Sequence, residues 1–242
     1  MNLSANPTKV TLSSGVTYGY VYIPPHSAKP TILFLHGFPS GAYDWRHQVL
    51  YFSAAGYGIL APDLLGYGST DKPESAAAYK GKKMASEIIG ILDHEKIGKV
   101  HGVGHDWGSY LLSRLANYHP KRFYSYSFLD VAYMPPGVKF DVEAANAESK
   151  AEVGYERLGF WKFLIEDDAV TILREHVLDS ASMIVAETEI FFTVRLLALS
   201  FLPSRPSSVE RTSGTHGCNE SMAGGRQDRA FGVVRDNNCK FD

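Results

Sequence analysis

The densest chemistry in this chain stands in one run, Gly104-His105-Asp106-Trp107-Gly108-Ser109. A glycine lies two positions before Asp106 and another two after it, where an apolar strand pattern gives way to a helical one. That arrangement suits a sharp strand-to-helix turn, a nucleophile elbow, which lifts the central side chain out of a sheet. The helix that follows aims its N-terminus at the site and favours developing negative charge there. A carboxylate displayed in this way can attack carbon and form an ester. An Asp at this place also suits an ordinary helix N-cap; the glycines and the preceding strand weigh against that simpler role.

A second run, Leu35-His36-Gly37-Phe38-Pro39, ends an apolar stretch. A turn here can point a backbone N–H, that of Phe38, at the reacting atoms, and with the N–H of Trp107 it would form an oxyanion hole. A Gly-Pro strand exit needs no such role, and His36 by itself reads as a structural histidine. A third run, Ala61-Pro62-Asp63-Leu64-Leu65-Gly66-Tyr67-Gly68-Ser69-Thr70-Asp71-Lys72-Pro73, is a turn-rich loop in which Asp63 can accept backbone hydrogen bonds as a scaffold.

These runs need elements to hold them, and the first half of the chain alternates strand and helix signals. Val10–Leu12 and Thr17–Ile23 read as an antiparallel hairpin. Thr31–Leu35, Gly58–Ala61, Lys99–Val103 and Tyr124–Leu129 are short apolar runs that fit strands buried on both faces. Between them Tyr43–Ala54, Ser75–Asp93 and Gly108–Asn117 read as helices. This order implies a mostly parallel sheet with helices on both faces, an α/β fold. From about Val131 to Leu202 strand signals stop, and Glu143–Ala151, Tyr155–Ile165 and Asp167–Leu178 read as helices, the usual form of a lid over a cleft. Ile190–Leu202 is very apolar but too short and interrupted for a membrane span.

Together the three motifs, in this order and spacing, resemble the α/β-hydrolase superfamily, and within it the fungal-type epoxide hydrolases, over roughly residues 7–178. The resemblance implies that Asp106 opens an epoxide ring, with His36, Gly37 and Pro39 shaping the oxyanion turn and the Phe38 and Trp107 N–H groups as its donors. It implies a lid tyrosine that supports the departing oxygen, for which Tyr155 in Gly154-Tyr155-Glu156-Arg157 is the best match. A histidine held by an acid then activates water to release a diol. No cofactor or metal is implied, and the partner is a small hydrophobic epoxide. A haloalkane dehalogenase shares the Asp-Trp pair, but such enzymes typically carry Asn where this chain has Phe38, whose side chain donates no hydrogen bond.

Two of the implied residues have no clear match. Of nine histidines, only His216 follows the lid helices, and no strand signal surrounds it. The strand that usually precedes the acid is also absent, so Asp130, at the end of Tyr124–Leu129, is the alternative acid; it reads equally as a strand-end cap. The expected organisation is a hydrolase core over 1–130, a helical lid over 131–202 and an atypical, disordered tail over 203–242, with the C-terminal strands of the fold missing. Read one nucleotide out of frame, the tail from about Leu202 to Ala230 permits a lid-like helical sequence, so a frame-shifted or intron-retaining product is one explanation. Without the last strands, Tyr124–Leu129 would be an exposed apolar edge. A non-catalytic, ligand-binding product is the competing class.

The chain has 242 residues, of which 45% are hydrophobic, enough for a core of one domain. A net charge of -2 gives no electrostatic reason to expect nucleic acid or an anionic membrane as partner. Its two cysteines, Cys218 and Cys239, exclude a disulfide scaffold and suit a reducing, cytoplasmic setting.

Overall fold

The computed structural model describes residues 7–26, 28–138 and 140–176, and the backbone of Phe231–Val234. The chain divides into two units, one formed by Met1–Val138 with Arg226–Asp242 and the other by Lys139–Gly225.

In the first unit, β1 (Thr8–Thr11) and β2 (Thr17–Ile23) form the expected hairpin. β3 (Thr31–Leu35) and β4 (Gly58–Pro62) are buried at every position, as runs without polar alternation require. β5 (Val100–His105) and β6 (Phe123–Leu129) complete a parallel block. The strand order is β1-β2-β4-β3-β5-β6-β7, with β7 (Phe231–Val234) antiparallel to β6. The paired edge corrects one expectation. Tyr126–Leu129 faces Phe231–Val234 along its length, so the β6 edge is covered by the short Phe-Gly-Val-Val run of the segment read as a tail. The rest of that tail, His216 and the apolar 190–202 stretch lie outside the described residues.

The sheet separates two apolar layers because successive side chains of each strand point to opposite faces. Leu33 and Leu35 of β3 join α2 (Gly81–His94) and α3 (Trp107–Tyr118) through Ile88, Ile91, Leu92, Leu111, Leu112 and Leu115. Ile32 and Phe34 join Trp45 and Val49, where a 3-10 turn (Ala42–Trp45) runs into α1 (Arg46–Ala54). Each fully buried Leu or Ile here contributes roughly 1.5–3 kcal/mol relative to exposure. The helix expected over Ser75–Asp93 is broken. A 3-10 turn (Ala76–Tyr79) precedes extended Lys80 at ψ 125, and α2 starts only at Gly81. Where α2 starts, a Cβ at Gly81 would stand 2.7 Å from the Tyr110 hydroxyl, so the α2 N-terminus lies hard against α3. Periodicity alone does not register that contact.

The second unit carries α4 (Val142–Val153), α5 (Gly159–Leu164) and α6 (Ala169–Glu175). Asp141 caps α4 through the Ala144 N–H at 3.0 Å. Buried Asn146 accepts the Leu158 N–H at 2.8 Å, and Ser149 accepts that of Arg157 at 3.1 Å, so α4 folds the 154–158 turn back onto itself. Tyr155 lies on that turn rather than on the helix expected from residue 155, because these side chains satisfy the turn's backbone and helix begins only at Gly159. Among the described residues no helix is long and apolar enough to cross a membrane.

Candidate active site

The parallel block places the motifs at one point. From β3 the chain moves to β4 on one side and then to β5 on the other. The strand order therefore reverses between β3 and β5, where the C-terminal ends of the strands open a crevice. Leu35 of β3 pairs with Gly104 of β5, and His105 pairs with Leu129 of β6. The turn after β3, the elbow and Asp130 are thus brought to neighbouring strand ends by register alone.

Asp106 adopts φ 53 and ψ -120, a conformation that residues other than Gly rarely take. Its carbonyl starts α3 by accepting the N–H groups of Ser109 at 2.9 Å and Tyr110 at 3.2 Å. Its side chain makes no capping bond to the helix. Instead Oδ1 accepts the Phe38 N–H at 2.7 Å. The simpler N-cap role is therefore not what this carboxylate does. Buried Ser109 fastens the elbow from behind, its hydroxyl meeting the carbonyls of Gly104 at 2.8 Å and Leu129 at 3.1 Å.

The glycines of both motifs are there for clearance. A Cβ on Gly37 would stand 2.3 Å from Asp106 Oδ1, and one on Gly104 would stand 2.5 Å from the Gly108 carbonyl oxygen. Trp107, 40% exposed, opens α3 with its ring set edge-on to Tyr110 at 5.6 Å. The Phe38-Pro39 peptide bond is cis.

His36 is 1% exposed, and its Nε2 accepts the Leu64 N–H at 2.9 Å. The ring proton therefore sits on Nδ1, which donates to the Gly37 carbonyl at 2.9 Å. This is the structural histidine expected from sequence. Burial holds it below the ordinary imidazole range, against upward pulls from the Gly37 carbonyl and from Asp63, Asp44 and Asp106. A neutral buried imidazole is protonated in the unfolded chain first. The stability it contributes is present above the unfolded pKa of about 6.5 and falls as pH drops below that value. The unfolding temperature is expected to fall from about pH 7.5 to about pH 5.5, and His36→Gln to flatten that slope whatever its effect at neutral pH. Thermal unfolding across that range checks it; an unchanged slope in the variant would refute the assignment.

Asp63 is the scaffold acid that the third motif suggested. Its Oδ1 accepts the Ala42 N–H at 2.9 Å, and its Oδ2 accepts the Ser69 N–H at 2.9 Å and the Ser69 hydroxyl at 3.0 Å.

Asp130 follows β6 with φ 69 and remains exposed at its surface, yet crowding by protein raises its carboxyl pKa; the His105 charge opposes that rise and the Asp106 charge adds to it. His105 and Tyr67 are the residues that sequence reasoning passed over. Tyr67 sets its ring edge-on to His36 at 5.0 Å, and its phenol is pushed up to about 12 by burial, with the Asp106 and Tyr79 charges adding. The available signal was the Gly66-Tyr67-Gly68 turn, which places an aromatic ring between two flexible positions. Tyr155, in the second unit, is 56% exposed. Among the described residues no group of three His, Cys, Asp or Glu side chains is placed to hold a metal.

Residues 30–148 match the alpha/beta hydrolase fold family. The chain is 42% identical over 113 residues to epoxide hydrolase 3 of Siraitia grosvenorii, a match spanning 46% of this chain and 36% of that protein. It is 37% identical over 106 residues to epoxide hydrolase A of Mycobacterium tuberculosis, spanning 44% and 33%. The solved structure of an epoxide hydrolase from Vigna radiata superposes with a TM-score of 0.54 at 35% identity, covering 61% of this chain and 45% of that one. The chain thus spans less than half the length of these relatives.

Proposed function

From a chain that has the α/β-hydrolase fold and is epoxide hydrolase-like over its core, we propose that Asp106 is a nucleophile toward a small hydrophobic epoxide. The observation that carries this reading is the Asp106 carboxylate, set on a positive-φ elbow with Oδ1 tethered to the Phe38 N–H at 2.7 Å. Holding one oxygen leaves Oδ2 to attack an epoxide carbon. The ring C–O bond breaks as the ester bond forms, and the ring oxygen leaves as an alkoxide that takes a proton from the Tyr155 phenol. When water later attacks the ester carbon, the charge that develops on its oxygen falls to the Phe38 and Trp107 N–H groups. That second step needs a base to deprotonate water. Asp130 is the acid in this scheme, and no histidine is assigned as its partner.

The proposal is thus a complete first half-reaction and an impaired second, without cofactor, in a cytoplasmic setting. Phe38 offers no side-chain donor for a halide, which keeps the haloalkane reading second. Incubation with styrene oxide followed by mass spectrometry of the peptide containing residue 106 tests it. A lasting adduct on Asp106 is expected. Rapid diol release would refute the impaired second step, and neither adduct nor diol would favour a non-catalytic ligand-binding chain. Tyr155→Phe should slow adduct formation by about 10²-fold; an unchanged rate in single-turnover measurements would remove Tyr155 from the scheme.

A further inference from the structure

The 36–42 turn is held at both of its ends by consecutive residues of a single neighbouring loop. At its start, His36 Nε2 accepts the Leu64 N–H at 2.9 Å. At its end, the Ala42 N–H donates to Asp63 Oδ1 at 2.9 Å. Between these two points lies the Phe38 N–H, on Asp106 Oδ1 at 2.7 Å. We infer that Asp63 and His36 are positioning residues, which together fix the Phe38 N–H on the carboxylate of the elbow. The inference rests on the reading of Asp106 as nucleophile.

Three further observations support it. First, the loop is itself anchored to β2. The Asp63 N–H donates to the Gly19 carbonyl at 2.9 Å, and Thr70 Oγ1 donates to the Asp63 carbonyl at 2.7 Å while accepting the Gly19 N–H at 3.0 Å. The Thr17 N–H donates to Asp71 Oδ2 at 2.8 Å. The staples therefore reach back to the sheet, and the turn does not simply lean on another mobile loop. Second, both staples are fully engaged. The far oxygen of Asp63 is taken up by Ser69, and His36 is locked by its Nδ1 bond to the Gly37 carbonyl and by the Tyr67 ring at 5.0 Å. Third, the turn has almost no clearance. Gly37 passes so near Asp106 that a Cβ would stand 2.3 Å from Oδ1. A turn that drifts toward the elbow collides, and one that drifts away breaks the tether, because hydrogen bonds weaken quickly beyond their normal length. Loops left without such anchors move on fast timescales, and a loosely held donor stabilises developing charge poorly.

The test reads the tether directly and does not need turnover. In the wild-type chain, nuclear magnetic resonance should show the Phe38 amide proton shifted downfield and slow to exchange, as a charge-assisted bond requires. Asp63→Ala and His36→Phe should each move that signal upfield and speed its exchange by about tenfold or more relative to β3 amides. Asp63→Asn keeps an acceptor for Ala42 but turns its amide donor toward the Ser69 N–H, so it should fall between wild type and Asp63→Ala. Asp71→Ala removes one anchor of the same loop and leaves the Gly19 bonds and both staples in place, so it should disturb the Phe38 signal less than Asp63→Ala does. Ala42→Pro removes the donor while leaving Asp63 intact; proline suits the first position of a helical turn, and Gly41 before it is already extended. It should reproduce Asp63→Ala and serves if that variant does not fold. A Phe38 signal equally disturbed by Asp71→Ala, or undisturbed by all of the staple variants, overturns the inference. A normal Phe38 signal with neither an adduct on Asp106 nor diol refutes the nucleophile reading instead.

Discussion

Asp106→Asn is expected to abolish the adduct: with styrene oxide, labelling of the elbow peptide should fall by at least about 10³-fold relative to the wild-type chain. The reason is electronic. An amide has nearly the shape of the carboxylate and can keep the 2.7 Å tether from Phe38 through its oxygen, but it has no negative charge with which to open an epoxide. Asn also tolerates positive φ better than most residues, so the variant should unfold close to wild type. A labelled Asn variant would show that another group reacts, and the scheme would fall. The same elbow makes a second, opposite test. Asp106 at φ 53 and ψ -120 holds a conformation that costs about 1–3 kcal/mol. Asp106→Gly removes that strain while losing the tether, so it should be unreactive and no less stable than the Asn variant in urea unfolding. Loss of function with retained or gained stability is expected where a backbone is strained for a site.

The legible part of this site is the part written in local sequence. Gly104 and Gly108 flank Asp106 at the spacing a sharp turn needs, and the apolar runs of β3 and β5 announce buried strands, so the elbow and the turn after β3 could be located from residues alone. What could not be read was held by pairs far apart in the chain. Nothing near Asp63 says that its carboxylate receives the N–H of Ala42, and nothing near His36 says that Leu64 supplies a donor that fixes its tautomer. The break at Lys80 falls where α3 packs closely on Gly81, and the turn at Tyr155 where Asn146 and Ser149 reach back from α4. In both places local helical pattern lost to a tertiary contact. The cover on β6 escaped for a different reason: four residues of Phe-Gly-Val-Val in a polar, Gly-rich context are too short to signal a strand.

Gly108→Ala is expected to be the most destabilising single-methyl change in the core. A Cβ at this position would lie 2.1 Å from the Leu35 carbonyl oxygen, 2.5 Å from its carbon and 2.7 Å from the His36 carbonyl oxygen. All three are backbone atoms in or just beyond a strand buried at every position, so no side chain can rotate away to make room. Either α3 lifts from the sheet, exposing the layer formed by Leu111, Leu112 and Leu115, or the end of β3 moves, carrying the 36–42 turn with it. Overpacking that flexible side chains absorb costs about 1–3 kcal/mol, and a rigid backbone places this change at the upper end, about 3 kcal/mol or more. Gly98→Ala supplies the contrast, since nothing lies within 4 Å of its added Cβ; its effect should stay within about 0.5 kcal/mol. Urea unfolding midpoints of the two variants decide the matter. Similar midpoints would mean that α3 does not sit directly on the β3 exit. A large difference would tie the stability of the sheet to the geometry of the elbow, because the close approach that Gly108 permits is what brings Asp106 within reach of the Phe38 N–H.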